Sequence, residues 1–143
     1  MTEEQANSGK VLHYKDLLIW QRSMRLAKTI YRLTRGFPSE ERYRLASQMR
    51  RAAISVPSNI AEGQARRSTR EFQQFLSHAS GSLAELDTQV LLSVDLGYLQ
   101  SNDADSVASE IQEIQKMMAA IQRKLAARLE QGTAYGATSR SSG

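Results

Sequence analysis

Acid–base, nucleophilic and metal chemistry draw on a short set of side chains, and this 143-residue sequence is poor in them. It has no cysteine and two histidines, His13 and His78. Thiolate nucleophiles, disulfide frameworks and zinc-finger ligand sets are thereby removed. A helical di-iron site needs Glu-x-x-His on two of its helices, but Lys10 and Phe75 stand three residues before the histidines. No phosphate-cradling glycine loop, nucleophile elbow or HExxH string occurs. His78 lies in a helical stretch beside small residues, with no nucleophile spaced to meet it. The chain therefore reads as non-enzymatic, with no catalytic residue, metal, cofactor or small-molecule substrate expected.

The chemistry that is present is cationic and hydrogen-bonding. Arg22, Arg25, Lys28, Arg32 and Arg35 recur at spacings of 3 and 4, which puts them on one helix face. Residues 1–70 carry a net charge of +8 and residues 71–143 one of −4, within a total of +4. Such asymmetry has two readings. In one, a basic face made of Arg22, Arg25, Lys28, Arg32, Arg50, Arg66 and Arg67 contacts RNA or DNA. In the other, the cations form a solvated face, or the basic half of one copy packs on the acidic half of the next. A second set is polar. Gln48, Arg51, Ser55, Asn59 and Glu62 share one face of a helix, and His78, Ser82, Glu85 and Gln89 share a face of another. If these faces meet, Arg51, Asn59, Glu62, Ser82 and Glu85 form a hydrogen-bonded network that fixes register or, alternatively, holds a ligand.

The elements that must carry these residues are helical. Hydrophobic residues make up 41% and charged residues 24%, ordinary for one globular domain. Helices are predicted over about 15–35, 40–62, 69–96 and 103–131, from apolar residues stepping by 3 and 4. The first helix has two apolar stripes. One is Leu17, Trp20, Met24, Ala27 and Tyr31; the other is Ile19, Leu26, Ile30 and Leu33. So wide an arc can serve both a core and a second subunit. Pro57 falls inside the second helix, where a kink is expected, with Ser55 and Ser58 placed to satisfy freed backbone groups and Gly63 as the residue that ends it. Ser68-Thr69-Arg70-Glu71 reads as a capping box opening the third helix. Ser80-Gly81-Ser82 inside that helix suggests close approach by a neighbour. Gly97 and Gly132 are expected to stop the third and fourth helices. The predicted fold is an all-α, up-down-up-down antiparallel four-helix bundle over 14–131. Segments 1–13 and 132–143 are expected to be a disordered lead-in and tail. The polar opening MTEEQANSGK and the lack of an apolar run near the roughly 18 residues of a membrane span point to the cytoplasm.

Three strings carry a resemblance: LIWQRSMRLAKTIYRLTRGFP, RYRLASQMRRAAISVPSNIAEG and FQQFLSHASGSLAELDTQVLLSVDLGYL. They resemble the bacterial four-helix-bundle family first noticed as reading frames in intervening sequences of 23S ribosomal RNA genes, often labelled a ribosomal protein. The accessory variability proteins of diversity-generating retroelements look like distant members. Arg50 to Gly63 and Ala79 to Leu86 are the most specific segments. The resemblance implies an antiparallel bundle, a homo-oligomer with a pentamer suspected, a basic surface for nucleic acid, and no catalytic activity.

Overall fold

The computed structural model describes residues 13–141, with side chains as far as residue 132. Four α-helices account for most of it: α1 Leu18–Thr34, α2 Leu45–Gln64, α3 Thr69–Asp95 and α4 Ser101–Ser141. There is no strand among the described residues. α1 packs on α2 and α4, and α3 packs on the same two helices, an arrangement consistent with a four-helix bundle. No helix of the described residues is long and apolar enough to cross a membrane.

Each helix buries the stripe its spacing supplies. In α3 the buried residues are Leu76, Ala79, Leu83, Leu86, Val90 and Ser93. In α4 the stripe runs through Ala104, Val107, Ile111, Ile114, Met118 and Leu125. α2 contributes Met49, Ala52, Ala53, Val56, Pro57 and Ile60. Of the two stripes on α1, the one that enters the core is Ile19, Leu26 and Ile30, joined by Ala27. The other stripe runs along the rim of the core: Leu17 and Trp20 are half-buried against it, Met24 is half-buried and Tyr31 is exposed. Buried hydroxyls are satisfied by the turn beneath them. Ser23 donates to Ile19 O at 2.7 Å and Thr34 to Ile30 O at 2.7 Å, so neither carries the cost of an unpaired polar group.

Several boundaries differ from the sequence reading. The first helix was expected from residue 15, but Tyr14–Asp16 form a 3-10 turn and Leu17 is extended (ψ 125°) before α1 begins. His13, expected in the lead-in, accepts from the Lys15 N–H at 3.3 Å; the remainder of that lead-in, 1–12, lies outside the described residues. The second predicted helix is divided. Ser39–Glu41 form a 3-10 turn, Arg44 leaves helical geometry (φ −117°, ψ −105°), and α2 starts at Leu45. The Glu41 carboxylate accepts from the Leu45 N–H at 3.3 Å, so a side chain from the preceding turn serves the first free donor of this helix.

At its other end α2 runs on through Gly63 to Gln64. Gly63 is thus a helical residue, and its role is space: a Cβ there would stand 2.8 Å from both Phe72 Cδ1 and Phe75 Cβ. The close approach expected at Ser80-Gly81-Ser82 is made by Ser82, whose hydroxyl lies 2.8 Å from that of Ser55 on α2, and not by Gly81, where a Cβ meets nothing within 4 Å. Pro57 occupies a buried position without ending the helix. α3 opens as predicted, Ser68 accepting from the Glu71 N–H at 3.1 Å, although the Glu71 carboxylate meets the Ser68 hydroxyl at 3.2 Å. It closes at Gly97 (φ +78°). Gly97 N donates to Val94 O and Tyr98 N to Ser93 O, both at 2.9 Å, the paired bonds of a left-handed helix end. Gly132 does not stop α4, which continues to Ser141 where a tail was expected. A helical glycine costs only about 1 kcal/mol, and no proline follows to enforce an end.

Candidate nucleic-acid interface

The cations of the first half do not form one patch. α1 displays Arg25, Lys28, Arg32 and Arg35, all exposed. Arg22 turns instead to α4. Its Nε donates to Glu110 Oε1 at 2.7 Å and its Nη2 to Oε2 at 3.2 Å, a bidentate pair. That hydrogen bond, with the guanidinium charges of Arg22 and Arg25 behind it, holds the Glu110 carboxyl below its ordinary 4.5, against an opposing push from partial burial.

Arg50 is fixed by the end of α1. Its Nε donates to Thr34 Oγ1 at 2.8 Å, its Nη2 to Tyr31 O at 3.4 Å, and its guanidinium lies 4.8 Å from the Tyr31 ring centroid. It therefore braces the last turn of α1 through one hydroxyl and one carbonyl, the Tyr31 carbonyl accepting from Thr34 Oγ1 at 3.2 Å as well, and is only partly available to a ligand. Arg66 and Arg67 follow α2, about 20 Å along the helix from Arg50 at 1.5 Å per residue. Arg66 lies over Phe75 at 4.9 Å, and Arg67 is exposed.

Sequence reasoning missed the cluster at the break before α2. Arg42, Tyr43 and Arg44 are all exposed there, and the Arg42 guanidinium lies 5.5 Å from the Tyr43 ring. The signal was the Arg-Tyr-Arg triplet itself, hidden because those residues were placed inside a helix. Arg51 also belongs to this side. It is exposed and donates to Gln48 Oε1 at 2.6 Å, not to a partner on α3.

The polar faces of α2 and α3 meet at one point. The Ser55 and Ser82 hydroxyls are 2.8 Å apart, and Asn59 Nδ2 donates to Ser55 O at 2.7 Å and to Ser55 Oγ at 2.9 Å. Ser55 is thus drawn to α3 and does not serve the backbone near Pro57; Ser58 is exposed. Glu85 accepts from Gln89 Nε2 at 3.3 Å within its own helix, and Glu62 is exposed. Of the five network residues, Asn59 and Ser82 come together through Ser55; Arg51, Glu62 and Glu85 stay apart, because their longer side chains reach solvent. No group of three His, Cys, Asp or Glu residues is placed to hold a metal among the described residues. His78 is exposed, with its ring 6.4 Å from that of Phe75.

An apolar groove of about 490 Å³ lies between α1 and α2. Trp20, Met24, Tyr31, Ile54 and Pro57 line it, with Lys28 and Arg35 among the polar residues at its walls. A second recess of about 400 Å³ shares Tyr31 and Ile54 and adds Arg42, Tyr43, Arg50 and Arg51.

A sequence model described as 23S rRNA-intervening sequence protein matches residues 15–120, which span α1 to α3 and the first part of α4. The chain belongs to that family. Among solved structures it is similar to a protein of unknown function from the S23 ribosomal protein family of Bacteroides thetaiotaomicron VPI-5482, determined at 1.70 Å. The two share 20% identity and a TM-score of 0.67, over 73% of this chain and 98% of the other. At that identity the likeness speaks to the fold. No curated protein sequence matches the chain. The family match takes in α1, the Arg42–Arg44 break, all of α2 and both walls of the groove.

Proposed function

We propose that this member of the 23S rRNA-intervening sequence protein family is a non-enzymatic homo-oligomer that binds RNA or DNA through the α1–α2 side, with the cytoplasm as its place of work. One observation carries the reading. Residues 18–67 hold eleven Lys and Arg against three Glu, and among the described residues Arg22 is the one of these cations in an ion pair. Cations left without carboxylate partners are free to replace the counterions of a phosphate backbone. An up-down-up-down order and a ring of five copies belong to the same reading. Short connections at 65–68 and 96–100 support the former, and the uncovered apolar groove beside α1 supports association of copies.

The test is filter binding of RNA and DNA across a salt series. Binding at low salt should fall with a log–log slope of about −0.7 to −0.9 per phosphate contacted. Absence of binding, or a flat slope, overturns the reading. Reversing the charges of Arg25, Lys28 and Arg32 together should abolish binding and leave the mass in solution unchanged.

A specific observation favours a second reading, a self-assembling scaffold with no nucleic-acid role. Leu91, Leu92 and Leu96 are exposed on the end of α3, with Asp87 and Asp95 on the same helix. This acid-flanked apolar ridge complements the basic-walled groove, as a head-to-tail contact between copies requires. Under that reading the same charge reversal breaks the oligomer.

A further inference from the structure

Resting on the nucleic-acid reading above, we infer that the recess at the α2 break is a base-stacking site for single-stranded nucleic acid, with Tyr43 as its platform. Tyr43 is 83% exposed, the highest value among the exposed large apolar and aromatic residues. It takes no part in the core or in the half-buried layer packed against it. A large ring held away from a core in which its neighbours Leu45 and Phe37 participate, with the Arg42 guanidinium over it at 5.5 Å from the centroid, leaves ring surface open for a ligand to stack beside that cation.

The surroundings specify what that ligand is. The recess has Tyr31 and Tyr43 as aromatic walls, Ile54 as apolar floor, and Arg42, Arg50 and Arg51 as cations; no carboxylate lines it. Aromatic rings interleaved with guanidinium groups, with nothing to repel a phosphate, are the elements of a single-strand platform. Arg50 is held in place by Thr34 and Tyr31, so part of the wall is set before any ligand arrives. Through Tyr31 and Ile54 the recess runs into the larger groove, where Lys28 and Arg35 continue the positive lining. A backbone leaving the recess along α1 therefore keeps meeting cations. Duplex nucleic acid buries its base faces in its own stack and cannot offer them to Tyr43; an unpaired segment can.

The experiment is fluorescence anisotropy with three probes compared at equal phosphate concentration: a labelled single strand of about 12 nucleotides, within the usual site size, the corresponding duplex, and inorganic polyphosphate. The single strand should bind tightest. Tyr43→Ala should weaken it by about 5- to 150-fold, the range for loss of one stacked base, while polyphosphate binding stays as it was. Tyr43→Phe should retain affinity. Tyr43→Leu, which keeps apolar bulk without a π-face, should behave as Tyr43→Ala, and unchanged thermal melting of all three variants shows that the fold is intact. Equal binding of the single strand by wild type and Tyr43→Ala overturns the stacking site, as does equal loss on polyphosphate. In either case salt-dependent binding of polyphosphate leaves the broader reading standing. If no probe binds at low salt, both fall.

Discussion

The Arg22–Glu110 pair shows how one residue's chemistry becomes a property of the protein. Because Glu110 titrates lower when folded than when unfolded, its stabilising contribution is complete above the ordinary carboxyl value of 4.5 and fades as pH falls through the folded value beneath it. Glu110→Gln should therefore melt below the wild type at pH 7, and the gap should close as the melts are repeated toward pH 3. A constant gap would show that packing, not charge, was lost. Gly63 makes a steric prediction. Phe75 Cβ cannot yield without moving α3, so Gly63→Ala should cost about 1–3 kcal/mol in a urea melt, the usual price of overpacking. Glycine at this position was visible in the sequence, but its reason was not. A helix-ending residue and a residue demanded by two phenylalanines on another helix look alike until the helices are docked. The same holds for Arg51 and Glu85, whose spacing put them on facing stripes while their length let them reach past one another to solvent.

Elements were more legible than residues. The 3–4 apolar spacing gave all four helices, since burial of a stripe depends on periodicity alone. Ser68 was legible too, because a capping serine acts on its own turn. Ser68→Ala should cost about 0.5–2 kcal/mol, read by thermal melting, with amide exchange increasing at Thr69–Phe72 first. The break at Arg42–Arg44 was not legible. Residues 40–44 are all compatible with helix, and what ends the turn is tertiary: Tyr98, from the α3–α4 connection, donates to Glu41 Oε1 at 3.3 Å, while the other carboxylate oxygen accepts from Leu45 N–H. Burial of the phenol and the adjacent Glu41 charge push Tyr98 above its ordinary 10.0. That contact, between residues 57 apart in sequence, is what puts Tyr43 outside the helix.

At the scale of the whole molecule, charge is sorted by side more cleanly than apolar surface. Most of the cations lie on α1, α2 and the break between them, with Arg70 on α3 and Lys116, Arg123, Lys124 and Arg128 on α4, while exposed leucines stand both at the start of α1 (Leu18) and at the end of α3 (Leu91, Leu92 and Leu96). The composition showed the asymmetry in advance. Which cations would be engaged was not readable, because that depends on α4 bringing Glu110 to Arg22. Among the described residues this is the one ion pair between helices, since the other, Lys116 with Glu113, lies within α4. It also spans the thinnest of the four helix–helix contacts, α1 against α4. The bundle thus behaves as a closed loop with one clasp. Strain applied to it, by acid, by salt or by a ligand pulling on α1, should be released there before anywhere else. Amides of α1 and α4 facing that seam should exchange sooner than those of the α2–α3 pair, and sooner still at pH 3. α1, which carries the exposed Arg25, Lys28 and Arg32, borders the thinnest of these helix–helix contacts, so occupancy of α1 by a polyanion would be felt as loosening or tightening of the seam itself.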